Sequence, residues 1–145
     1  YESDSLAQFL LHLRGRFDQV VVDIPRFILA SHNSVLSGTQ ELVIATDLSL
    51  VGLRDANRLK RYFAETVPEV KLTVAANMVR SGRAGQLAVK DFARGLEGDL
   101  VHRIPLDEKA AGRSANSGQP MARGAKRGKA TAAIRRLAAE LAAAS

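Results

Sequence analysis

Four residues of this chain, Asp23, Asn77, Pro105 and Asp107, are of a type and in a setting that suit ligand chemistry. Each closes an apolar run. Residues 19–24 read Gln-Val-Val-Val-Asp-Ile and run into Pro25-Arg26. Such a run, without polar alternation, predicts a strand covered on both faces, and Pro25 cannot extend its ladder. A carboxylate at the C-terminal lip of a strand in an open α/β sheet can hold Mg²⁺, usually through water, beside phosphates. The same placement suits a cap for the turn that follows. Asn77 ends the run 72–77, where its amide offers a donor and an acceptor to a purine edge; it equally suits a turn. In Ile104-Pro105-Leu106-Asp107 the proline stiffens the backbone and leaves its neighbours free to face a ligand, although the segment also reads as an ordinary loop start.

Other chemistries find little support. His12, His32 and His102 are far apart and lack zinc-ligand spacing, and no Gly-x-Ser-x-Gly turn occurs. Asp47 and Asp55 straddle a helix start, where capping explains Asp47 better than paired acid–base work. No catalytic residue is assigned. The absence of cysteine excludes disulfides and thiolate-held metal, and fits a reducing cytosol.

Strands must deliver these side chains. Apolar runs at 19–24, 41–46, 71–77 and 100–104 are separated by segments with helical spacing, which predicts a three-layer α/β fold with a mostly parallel sheet and helical crossovers. Leu6, Phe9, Leu10 and Leu13 mark an amphipathic helix before the first run, with Ser3, Asp4 or Ser5 as cap. A shorter helix is expected over 27–36, closed near Gly38. Leu50, Leu53, Ala56, Asn57, Leu59, Lys60 and Phe63 outline the face of the clearest helix, with Pro68 beyond its end. Residues 81–85 read as loop, 89–96 as a helix ended by Gly98, and the segment after Pro105 as a helix through Ala110 to about Ser117.

At 145 residues the chain is about one domain. Its expected parts are residues 1–117 as the α/β portion, 118–129 as a basic Gly-rich linker, and 130–145 as an alanine-rich helix that docks on the sheet through Ile134, Leu137 and Leu141. Residues 1–102 are electrically balanced, so the net charge of +6 lies entirely beyond them. Arg123, Lys126, Arg127, Lys129, Arg135 and Arg136 form a basic cluster able to meet anionic lipid or a DNA backbone. No aromatic lies there to stack on bases, and a solvated arm is the alternative. No apolar run is long enough to cross a bilayer.

Taken in order, Asp23-Ile24-Pro25, Asn77 and Ile104-Pro105-Leu106-Asp107 resemble the deviant-Walker ATPases of the MinD/ParA group, most closely the CpaE/TadZ branch of Flp-type pilus assembly. Residues 17–26 resemble that branch's Walker B with its Pro-Arg ending. Thr46-Asp47-Leu48-Ser49-Leu50-Val51-Gly52-Leu53-Arg54-Asp55-Ala56 resembles its post-strand segment, and Ala110-Ala111 with Asn116-Ser117-Gly118-Gln119-Pro120 resembles the group's C-terminal signature. The resemblance implies a P-loop NTPase-like fold, with Mg²⁺ organised by Asp23 and a base pocket formed by Asn77, Pro105 and Asp107.

The sequence holds no Gly-Lys-Gly-Gly-type P-loop. The chain, which starts at Tyr1, therefore reads as the C-terminal portion of a longer protein whose N-terminal half carries the P-loop. ATP and Mg²⁺ are expected in that parent and not in this chain alone. The resemblance further implies a cytoplasmic homodimer, recruited to the inner face of the membrane and working with pilus-assembly proteins, with weak ATPase activity. The other reading is a non-catalytic scaffold that binds a protein, anionic lipid or DNA through Arg123, Lys126, Arg127 and Lys129. In this family the P-loop strand separates the Walker B strand from the next one, so 19–24 and 41–46 are expected either to leave a gap or to pair directly.

Overall fold

The computed structural model describes residues 2–29, 33–80, 85–96 and 101–143, in two compact units, 1–39 and 40–145. The first unit holds helix α1 (Glu2–Arg14), a single helical turn α2 (Arg26–Leu29) and a 3₁₀ turn, Asn33–Leu36, against which α1 packs. Leu29, Val35 and Leu36 are buried. Of the helix expected over 27–36, α2 and the 3₁₀ turn are described, and residues 30–32 lie outside the described ones.

The strand expected at 19–24 does not form. These residues take no regular secondary structure, and Val21 is 95% exposed. An apolar run becomes a strand only when a neighbour takes up its amides and carbonyls, and among the described residues the 1–39 unit contains no strand. Direct pairing with 41–46 is not found: among the described residues β1 pairs with β2 alone.

The second unit is a three-layer α/β structure. Strand β1 (Glu41–Thr46), helix α3 (Leu50–Thr66), strand β2 (Lys71–Val79), helix α4 (Val89–Gly95) and strand β3 (Val101–Pro105) form successive crossovers of a parallel sheet with order β1-β2-β3. Helices α5 (Glu108–Ser117), α6 (Met121–Gly124) and α7 (Lys129–Ala143) follow. In β2, three successive residues, Val74, Ala75 and Ala76, are at most 2% exposed. Successive side chains point to opposite faces, so both faces of the central strand are covered.

Ile44, Leu48, Ala56, Phe63, Phe92 and Leu96 complete the core around the crossovers. Asn57 and Lys60, polar members of the α3 face, donate to the carbonyls of Gly95 (3.0 Å) and Leu96 (2.9 Å). They satisfy the orphan acceptors at the end of α4.

Gly118 closes α5 in the left-handed conformation (φ 60°), and the amides of Gly118 and Gln119 donate to Ala115 and Ser114 carbonyls at 3.2 Å. The 118–129 stretch that follows carries α6 and buries Ala125 and Gly128. Helix α7 packs on β3, as expected. Its most buried residues are Ala130, Thr131 and Ala133, while Ile134 is 39% exposed, so the small side chains make the closest approach.

Candidate functional site

Parallel strands present their C-terminal ends on one edge, where an open α/β sheet builds its site. At β1 that edge is organised by Ser49. Its side chain accepts from Gly52 N at 2.9 Å and so caps α3, while Asp47 Oδ1 accepts from the amide (3.1 Å) and hydroxyl (2.6 Å) of Ser49. Asp47 therefore buttresses the cap and is not itself the cap. Gly52 is required here: a β-carbon would stand 2.6 Å from the Asp47 carbonyl oxygen and 2.7 Å from Thr46 Oγ1.

Asn77 sits near the end of β2, exposed, with Oδ1 accepting from Met78 N at 2.8 Å. Met78 has a positive φ of 52°, in the region L-residues seldom occupy. Gln86 holds this bend from both sides, donating to Met78 O (3.1 Å) and accepting from Arg80 N (3.0 Å). The ladder with β3 is irregular between Ala76 and Val79, and β2 runs two residues past Asn77.

Pro105 stands opposite Val79 in the register, and Leu106 N donates to Val79 O at 2.9 Å. Asn77 and Pro105 thus occupy the same edge of neighbouring strands. Asp107 follows as the cap of α5. Its Oδ1 accepts from Ala110 N at 3.0 Å and its Oδ2 from Lys129 N at 2.8 Å, the first residue of α7. The Ala110 amide is the main cause that lowers the Asp107 pKa; desolvation opposes it, and the amides of Lys129 and Ala130 and the charge of Arg113 add to it. Gly128 lets this junction close, since a β-carbon there would meet Asp107 Oδ2 and Ala110 Cβ at 2.9 Å.

A shallow hollow of about 520 Å³ opens beside Asp107, bordered by Lys109, Arg113, Arg127 and Lys129. A second, of about 270 Å³, lies between Ser49–Val51 and Gly85–Leu87, where Leu87 N donates to Leu48 O at 2.6 Å. Asp23 belongs to the 1–39 unit, exposed and outside any strand. Among the described residues no group of His, Asp and Glu is arranged to hold a metal ion.

The sequence reading did not find the Ser49 cap, the Gln86 staple or the pairing of His102 Nε2 with Glu140 Oε2 at 3.3 Å between β3 and α7. Ser49 immediately before the amphipathic stretch that starts at Leu50 was a readable cap signal; the other two pairings are set by the packing of separate elements.

No family model matches the sequence. The septum site-determining protein MinD of Synechocystis sp. (strain ATCC 27184 / PCC 6803 / Kazusa) is 26% identical over 121 residues, which is 82% of this chain and 45% of that protein. Among solved structures, the ParA family ATPase from Chlorobium tepidum TLS superposes with a TM-score of 0.80 at 24% identity, over 92% of this chain and 55% of that one. The MinD cell division protein of Aquifex aeolicus gives 0.74 at 23% identity, over 94% and 61%. The chain spans about half the length of the relatives it matches. Its fold is that of the ParA/MinD-type ATPases, and its sequence is similar to that of the Synechocystis MinD across most of its length.

Proposed function

We propose that this chain forms part of a MinD/ParA-like ATP-binding protein of the CpaE/TadZ kind, which positions Flp-type pilus assembly through nucleotide-dependent dimerisation. The carrying observation is the placement of Asn77 and Pro105 at the same C-terminal edge of adjacent parallel strands. In this reading Asn77, Pro105 and Asp107 form the base pocket. Asn77 supplies the hydrogen-bonding amide, Pro105 a rigid wall, and Asp107 fixes the loop by holding Ala110 and Lys129.

Asp23 is the residue for Mg²⁺. In this reading these residues serve the base end of a nucleotide. The phosphate end needs a P-loop, and this sequence has none, so ATP binding belongs to the longer protein. That protein is proposed to be cytoplasmic, recruited to the inner face of the membrane. No helix among the described residues is long and apolar enough to cross a membrane.

The test uses the full-length protein and titration calorimetry. Asn77→Ala should narrow the preference for ATP over GTP, by about 1–3 kcal/mol where a buried base contact is lost. Asp23→Ala should remove Mg²⁺-dependent binding and dimerisation while the circular dichroism spectrum stays unchanged. Unaltered base preference in the first variant removes Asn77 from the pocket. Micromolar ATP binding by the 145-residue chain alone overturns the need for a P-loop.

A second reading rests on Arg123, Lys126, Arg127 and Lys129, which are all exposed and, among the described residues, make no side-chain ion pair. They suit a scaffold that meets anionic lipid or DNA through this surface.

A further inference from the structure

We propose that Gln86 is a positioning residue for Asn77, holding its amide in one orientation toward the base of a purine nucleotide. This rests on the reading of Asn77 as a base contact. Strand β1 leaves β2 early: the last pair of their ladder is Thr46 with Ala76, while β2 continues to Val79. On the β3 side, Leu106 N donates to Val79 O at 2.9 Å. Met78 O and Arg80 N, the groups on either side of Val79, go to the Gln86 side chain, which donates to the first at 3.1 Å and accepts from the second at 3.0 Å. One side-chain amide thus meets both groups, as a residue of a parallel neighbour would, beyond the point where β1 ends.

The group held in this way is the strained one. Met78 has a φ of 52°, and a non-glycine residue stays in that region only where its surroundings hold it there. Met78 is 54% exposed, so hydrogen bonds rather than packing hold the bend. They lie on both of its backbone groups: the carbonyl accepts from Gln86, and the amide donates to Asn77 Oδ1 at 2.8 Å. The second bond turns Oδ1 of Asn77 back to the chain. Its Nδ2, which makes no hydrogen bond among the described residues, is presented outward as a donor that suits the acceptor atoms of a purine edge.

Gln86 is itself anchored. The next residue, Leu87, donates to Leu48 O at 2.6 Å, and Leu48 is 2% exposed, immediately before the Ser49 cap of α3. A relay of hydrogen bonds therefore runs from the segment after β1 through Leu87, Gln86 and Met78 to Asn77. Truncating Asn77 removes the donor at the end of the relay. Truncating Gln86 releases the bend and lets that donor turn away, so Gln86 acts on a ligand only through Asn77.

Hydrogen exchange of the chain and titration calorimetry of the full-length protein with ATP and Mg²⁺ test this role. Gln86→Met keeps the length of the side chain and removes both hydrogen bonds. Amide exchange at Met78 and Arg80 should quicken by about tenfold or more, while Val74, Ala75 and Ala76 keep their rates. Gln86→Glu keeps the acceptor for Arg80 N, gives up the donor to Met78 O, and should quicken Met78 as well. In the full-length protein Gln86→Met should weaken nucleotide binding by about three- to tenfold, as Asn77→Ala does, and should cost nothing further in the Asn77→Ala background. A residue that only stabilised the loop would add its loss in both backgrounds. Unchanged exchange at Met78, unchanged affinity in Gln86→Met, or equal losses with and without the Asn77 side chain would overturn the positioning role and leave the base pocket in place. An affinity unchanged by Asn77→Ala removes the base contact itself, and the role of Gln86 with it.

Discussion

Asp107 Oδ2 accepts the backbone amide of Lys129 at 2.8 Å across 22 residues of sequence, while the other oxygen of the same carboxylate caps α5. One side chain therefore fixes the starts of two helices beside the end of β3.

That bond has a pH signature. The Asp107 pKa lies below the usual carboxylate value, so its contribution to stability is present above the unfolded pKa and is lost as pH falls through the folded one. Thermal melts should show Asp107→Asn lowering the midpoint at neutral pH, with the gap to the unmodified chain closing on acidification. A gap constant down to strongly acid pH would remove the charged carboxylate from this role.

Thr131 is 1% exposed, and its hydroxyl donates to Ala125 O at 2.8 Å, tying α7 to the turn after α6. Thr131→Val keeps the volume and removes one of that carbonyl's two donors, the amide of Gly128 remaining at 2.9 Å, at a cost of about 1 kcal/mol for the lost hydrogen bond. Thr131→Ser keeps the hydrogen bond and should lose only about 1 kcal/mol for the methyl. Urea unfolding measures both losses, and an unchanged midpoint in Thr131→Val would remove the hydroxyl from this role.

Two glycines should respond in opposite directions to alanine. At Gly52 the new β-carbon collides with backbone and side chain at the start of α3, so destabilisation of about 1–3 kcal/mol is expected. Gly112, inside α5, has open space around its Cα, and alanine there should stabilise by about 0.5–1 kcal/mol. Denaturant midpoints of the two variants should fall on either side of the parent's.

The basic surface predicts salt-sensitive binding. Attraction of the chain to anionic vesicles or duplex DNA should fade steeply between about 50 and 200 mM salt if several phosphates are contacted. Lys126→Glu with Arg127→Glu should abolish it at low salt, measured by co-sedimentation or anisotropy. A response that is flat with salt would leave these side chains as solvated charge.

Where local pattern and long-range packing agreed, the sequence was legible. Strand β1 spans 41–46 as read, β2 runs two residues past its expected end, through the bend at Met78 that Asn77 and Gln86 hold, and β3 runs one residue past its own, with residue 100 outside the described ones. Residues 19–24 show the limit of that reading: their composition matches that of the true strands, and the outcome was decided by the presence of a neighbour, which no local window contains. The site divides in the same way. The Asp107 cap could be expected from its position before a helix, but its second partner, Lys129, emerges only when α7 returns to β3.

The burial of Val74, Ala75 and Ala76 also sets a kinetic order within the molecule. Strand β2 alone has a neighbour on both sides and cover on both faces, so its amides cannot meet solvent unless the sheet itself comes apart. Exchange of these three protons for deuterium should report whole-unit opening of residues 40–145, while the outer strands exchange earlier through smaller fluctuations. The slowest-exchanging amides therefore mark the last part of this unit to open.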